Sequence, residues 1–191
     1  MPGRSTDFLA GQYYHLYNRG HNRQTIFFER ENYLFFLRQV RHYLTTQGID
    51  IVAYCLMPNH FHFLVQLQQD HVLSQAMQSL SISYTKAINR RYERSGALFQ
   101  GRFQAIEVDS AGYVIALSRY IHLNPVKAGL TPTPEAWEFS SYQEYAGTRL
   151  GTLPKIETIL KQIGSQAAYR SFMAQDAATM EPLLRVLCFD E

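Results

Sequence analysis

Cysteine is nearly absent from this chain: Cys55 and Cys188 stand far apart and show no CxxC spacing. That excludes a disulfide framework and a thiolate metal site as organising features. Cys55, inside an apolar run, reads as core. No apolar run reaches the length of a membrane span. The start, Met1 to Asp7, has no apolar stretch of signal-peptide type. A soluble, cytoplasmic protein with no membrane partner is expected. Internal repeats and low-complexity tracts are missing too. Charged residues make up only 18% of the chain against 46% hydrophobic, so the composition is that of a packed domain. At 191 residues, one domain or one domain with an appendage is expected.

Acidic residues are scarce where basic ones collect. Residues 1–130 hold 13 Lys and Arg against 8 Asp and Glu, while residues 131–191 hold 5 against 8. Across 86–102, Lys86, Arg90, Arg91, Arg94 and Arg102 face only Glu93. Basic density of that kind attracts a polyanion, although a solvated helix face reads the same way.

The order of elements is read from pattern. The aromatic run Tyr13 to Asn18, bounded by Gly11 and Gly20, predicts a strand. Glu31 to Thr46 carries apolar residues at helical spacing and closes at Gly48. Ile49 to Leu56 is a buried strand that Pro58-Asn59 turns into a second, His-bearing one. Asp70 is placed to cap a long helix reaching about Tyr92. Arg102 to Val108 alternates as a fourth strand. Asp109 then caps a helix expected to stop at Asn124, because proline disfavours helical geometry in the residue before it. The sequence β-α-β-β-α-β predicts an α+β fold with a ferredoxin-like split βαβ sheet. A core over 1–130 is expected, with residues 131–191 as a small, partly helical C-terminal appendage joined by the Thr131-Pro132-Thr133-Pro134 linker. Helical patterns recur near 154–163 and 166–175.

The chemistry gathers in two places. In Met57-Pro58-Asn59-His60-Phe61-His62-Phe63-Leu64-Val65, strand alternation puts Phe61, Phe63 and Val65 on one face and starts the other with two imidazoles. Two neutral imidazoles aimed at one point suit a divalent metal. Sixty residues on, Tyr113, Ala116, Tyr120 and Asn124 share a helix stripe beside the core-facing Val114, Leu117 and Ile121. Tyr120 and Asn124, one turn apart, start about 6 Å from each other. With His60, His62 and the Asn124 amide holding Mg or Mn, Tyr120 is placed to attack a phosphate. Tyr113 lies about 16 Å along the axis from Asn124 and is the weaker candidate.

The His60-Phe61-His62 run, followed by Phe99-Gln100-Gly101-Arg102-Phe103 and by Tyr120-Ile121-His122-Leu123-Asn124-Pro125-Val126-Lys127-Ala128-Gly129-Leu130, resembles the single-tyrosine HUH transposases. Tyr14-His15-Leu16-Tyr17-Asn18-Arg19-Gly20 and Trp137-Glu138-Phe139-Ser140-Ser141-Tyr142 are similar to the branch associated with repetitive extragenic palindromes (REP). The likeness runs from about residue 12 to 147. It implies a metal-dependent single-strand DNA endonuclease and strand transferase acting on hairpin or palindromic DNA. His60 and His62 correspond to the HUH metal pair, Asn124 to a third ligand, and Tyr120 to the nucleophile that forms a 5′-phosphotyrosine and releases a 3′-hydroxyl. The partner implied is single-stranded or hairpin DNA, and the protein is a monomer or homodimer. Lys86, Arg90, Arg91, Arg94 and Arg102 are candidate phosphate contacts, and Phe99 and Phe103 candidate base-stacking rings.

Two rival readings stand beside this one. A domesticated hairpin-binding protein that keeps the fold without cleaving would use the same basic and aromatic residues. A His-x-His metallohydrolase fits poorly: the barrels that use such a pair need about 250 residues. A cupin-like site wants a Glu after the pair, where Gln66, Gln68 and Gln69 stand.

Overall fold

Aromatic, aliphatic and β-branched residues set four strands, and β2 and β3 are buried along nearly their whole length. In chain order the elements are β1 (Tyr13–Arg19), α1 (Arg30–Tyr43), β2 (Ile49–Met57), β3 (His60–Leu67), α2 (Leu73–Arg91), β4 (Gln104–Val108) and α3 (Ala111–Lys127). Short helices α4 (Tyr142–Ala146), α5 (Glu157–Ile163) and α6 (Gln166–Met173) follow. The computed structural model describes residues 7–175. The sheet order is β2-β3-β1-β4 with every pair antiparallel, which is the split βαβ arrangement that the element order predicts.

The sheet is covered on both faces. Tyr14, Leu16, Phe61, Phe63 and Val65 pack under α1 and α2. Phe36 of α1 anchors that layer, with ring centroids 4.8 Å from Tyr84, 5.3 Å from Phe61 and 6.2 Å from Phe63. Truncating such a ring to Ala costs about 3–5 kcal/mol. On the other face, Ala53, Cys55 and Leu64 meet Val114, Leu117 and Ile121 of α3. Tyr145, Ile159 and Tyr169 of the last helices complete that layer. The segment beyond residue 130 is also pinned along the free edge of β2. Leu56 donates its N–H to the Phe139 carbonyl at 2.9 Å, and Lys155 donates to Ile51 at 2.7 Å.

Several helix ends differ from the sequence expectation. Helix α2 begins at Leu73 with no side-chain cap. Asp70 instead accepts the Ala10 N–H at 2.6 Å, so its carboxylate ties down the chain entering β1. Ser110, not Asp109, caps α3, accepting the Tyr113 N–H at 3.3 Å. Nor does Pro125 stop α3. The helix runs on to Lys127, where the Leu130 N–H bonds the Pro125 carbonyl and the Gly129 N–H bonds Val126. This Schellman closure turns on Gly129 at φ +68°. The preference against helix before proline is modest, and burial of Ile121, Asn124 and Pro125 outweighs it. Strand β4 is shorter than expected, because Arg102 and Phe103 precede its pairing with β1.

Candidate active site

The α3-facing side of the sheet carries the chemistry. Register places Tyr17 opposite His62 and Arg19 opposite His60, while Cys55 flanks His62 from β2 and Gln104 flanks Tyr17 from β4. His60 opens β3 directly after the Pro58-Asn59 turn, so it is half-buried at the strand's mouth. His62, one step inward, is 1% exposed. Their ring centroids are 5.0 Å apart. Strand alternation alone produces this pairing, as the sequence indicates.

Helix α3 lies over these imidazoles. Tyr120 presents its ring edge-to-face to His62, with centroids 5.7 Å apart, and is 6% exposed. Asn124, one turn on, is buried beside it. Tyr113 belongs to the same helix but sits two turns back, with its hydroxyl buried and without a hydrogen-bond partner. Burial, and then the nearby Asp109 carboxylate, push the Tyr113 phenol above its ordinary pKa.

Hydrogen bonds define which imidazole nitrogen carries a proton. His60 Nδ1 lies 2.7 Å from Asn59 Oδ1. That amide is oriented by its own Nδ2 donating to the Arg23 carbonyl at 3.3 Å. An amide oxygen only accepts, so His60 Nδ1 bears the proton and its lone pair sits on Nε2. His62 Nδ1 bonds His15 Nε2 at 3.0 Å, which directs His62 Nε2 away from β1. Two imidazoles with ring nitrogens so arranged offer two nitrogen ligands to a divalent cation. Among the described residues, no three His, Cys, Asp or Glu side chains gather at a metal-sized point.

Three residues escape a reading of sequence alone. His15, in the middle of β1 and 1% exposed, contacts His62 directly. Tyr17 packs its ring 5.1 Å from His15 and 6.1 Å from His62. Lys127 reaches back along α3 to hold its Nζ 5.3 Å from the Tyr120 ring centroid. The signal available for the first two was the alternation Tyr13, His15, Tyr17, but only the β1–β3 register assigns that face to the His60–His62 pair.

The basic candidates divide. Arg102 and Arg19 line a cleft of about 340 Å³ beside Tyr17, together with Gln100 and Gln104. Arg19 Nε donates to Gln100 Oε1 at 2.5 Å. Lys86, Arg90 and Arg91 belong to α2, in the layer on the opposite face of the sheet from the imidazoles, and Arg91 pairs with Glu29 at 2.5 Å. Arg94 stacks over Phe28 at 5.5 Å and donates to Gln24 at 3.1 Å. Phe99 and Phe103 are not stacking platforms. They are 6% and 8% exposed and belong to the core under α1 and α2. Phe99 meets Phe61 at 6.0 Å, and Phe103 stacks on Phe8 at 6.4 Å.

With this geometry in place, the family model described as IS200-like transposase matches residues 9–124, more than half of the chain. The chain belongs to that transposase family. A Haemophilus influenzae protein assigned to the REP-associated tyrosine transposases is 27% identical over 103 residues, covering 49% of this chain and 58% of that protein. This transposase-family chain thus spans less than two thirds of that relative. A solved REP-associated tyrosine transposase bound to a REP hairpin superposes with a TM-score of 0.65 at 18% identity, covering 81% of this chain and 94% of that one. That likeness establishes the fold as the one such transposases use. No helix among the described residues is long and apolar enough to cross a membrane.

Proposed function

We propose that this transposase is a metal-dependent single-strand DNA endonuclease and strand transferase acting on hairpin DNA, with Tyr120 as nucleophile. The observation that carries the reading is the edge-to-face seat of Tyr120 on His62, on the sheet face that also bears His60. A phenol near its ordinary pKa of about 10 attacks poorly at neutral pH. A divalent cation held by His60, His62 and Asn124 would supply Lewis-acid polarisation of the phosphate and help orient it.

The chain's own residues do the rest. Tyr120 Oη forms the new bond to phosphorus as the bond to the 3′ oxygen breaks, which leaves a 5′-phosphotyrosine and a 3′-hydroxyl. The phenol proton departs to solvent, and the 3′ oxygen takes one up. Lys127 Nζ, 5.3 Å from the Tyr120 ring centroid, places a positive charge beside the phenol that attacks. Arg19 and Arg102 at the cleft next to Tyr17 offer charge-assisted donors to neighbouring phosphates. Low exposure of His15, His62 and Tyr120 keeps the reacting region poor in water, which strengthens each of these interactions.

The test is incubation with an end-labelled hairpin bearing a single-stranded flank, with Mn, scored for a protein–DNA band that survives denaturation. That band is the expected result. Tight hairpin binding with no such band under any divalent cation would replace this reading with that of a non-cleaving hairpin binder.

A further inference from the structure

We infer that His15 is a positioning residue for the metal pair: its Nε2 accepts the Nδ1 proton of His62 and so holds the lone pair of His62 on Nε2. This rests on the reading of His60 and His62 as metal ligands. Both rings are 1% exposed, 3.0 Å apart at the bonding nitrogens and 5.2 Å apart at their centroids. His15 is opposite Leu64, one pleat along from the Tyr17–His62 pair, so it meets His62 on the diagonal that aromatic side chains span between strands.

An imidazole–imidazole bond needs one donor and one acceptor, and the two directions have opposite consequences. If His15 donates, the His62 proton moves to Nε2 and blocks that nitrogen as a ligand. If His62 donates, Nε2 is left as a ligand, just as Asn59 leaves Nε2 of His60. The two HUH imidazoles then receive the same treatment from different neighbours, an amide oxygen for His60 and a second imidazole for His62. His15 also touches Tyr120 edge-to-face at 6.4 Å, so one side chain braces both the ligand and the nucleophile. Partners that fix a ligating imidazole in this way typically change metal affinity about 10–100-fold when removed.

The experiment measures Mn binding by the full chain without DNA, from the loss of the free-Mn resonance. It compares wild type, His15→Phe, His15→Gln and His62→Ala. The expected result is about 10–100-fold weaker Mn binding in His15→Phe, which keeps the ring volume but not the acceptor. His15→Gln, whose amide oxygen can accept in the same place, should stay within about threefold of wild type. Hairpin binding in EDTA should be equal in all of them. His15→Phe that binds Mn like wild type, or His15→Gln as weak as His15→Phe, overturns the inference. If His62→Ala loses Mn while His15→Phe does not, only the positioning role fails. If His62→Ala binds Mn normally, or wild type binds none, the metal-pair reading itself fails. Should the His15 variants not fold, imidazole nitrogen NMR of the wild-type protein decides. Protonated Nδ1 on His62 facing bare Nε2 on His15 supports the inference, and the reverse tautomers overturn it.

Discussion

Tyr120 and Tyr113 share a stripe of one helix, yet of the two it is Tyr120 that packs against His62. Seven residues separate the two, about 10 Å along the axis, and a raised pKa further disfavours the Tyr113 phenolate. Tyr120→Phe is therefore expected to abolish the covalent adduct while hairpin affinity stays within about twofold. Tyr113→Phe should retain the adduct. Denaturing gels and anisotropy on the same preparations check both. His60→Ala, His62→Ala and EDTA should each suppress cleavage at least a hundredfold, with Asn124→Ala nearer tenfold because water can replace a neutral amide oxygen. Full activity in excess EDTA would remove the cation from the mechanism. At this scale the sequence singles out His60, His62, Tyr120 and Asn124 as candidates, because period two and period 3.6 are written along the chain. It does not show His15 or Lys127. The place of His15 depends on strand register, and the reach of Lys127 depends on α3 continuing past Pro125.

At the scale of the element, α3 is held from behind by a buried polar network. His122 bonds Tyr169 Oη through Nδ1 and Ser141 Oγ through Nε2, each at 2.7 Å, and Ser118 bonds the same Tyr169 hydroxyl at 3.0 Å. This ties α3 to β2 and to α6. Ser141 Oγ itself accepts the Tyr54 N–H at 2.8 Å. Burial depresses the His122 pKa to about 3. The unfolded chain takes up that proton below about pH 6.5, while the folded protein refuses it until about pH 3. Stability from this group is therefore full above pH 6.5 and is lost as pH falls, by about 1.4 kcal/mol per unit. Between pH 6.5 and 5, denaturant unfolding of wild type should lose about 2 kcal/mol more than that of His122→Gln. Parallel pH profiles for the two would contradict this. Phe99 and Phe103 show why elements mislead when read singly. An aromatic beside arginine looks the same in sequence whether it stacks on a base or fills a core, and only the packing of the 92–103 connection against α1, α2 and β3 separates the two.

For the whole molecule, the sheet divides the labour. The α1–α2 face is packed with apolar rings, and the opposite face exchanges part of its packing for imidazoles, an amide and a phenol. The split βαβ order was readable from alternating periodicities. The seating of residues 131–173 on β2 and α3 was not, because no local pattern encodes which edge a distant segment joins. The basic run at 86–102 likewise spreads over both layers in three dimensions. Arg19 and Arg102 border the cleft beside Tyr17, whereas Arg90 and Arg91 belong to the far layer. Arg19→Ala with Arg102→Ala should flatten the slope of log affinity against log salt by about 1.4–1.8 units. Arg90→Ala with Arg91→Ala should leave the slope within about 0.3 of wild type. The opposite pattern would route the DNA across the helical layer.

The central claim is that one phenol of this chain becomes joined to DNA. Its most direct test is peptide mapping by mass spectrometry of the adduct formed with Mn and a hairpin carrying a single-stranded flank. The account predicts a nucleotide-bearing peptide modified at Tyr120 alone, with the DNA attached through its 5′ phosphate. Modification at Tyr113 or any other residue, or attachment through a 3′ phosphate, would contradict it.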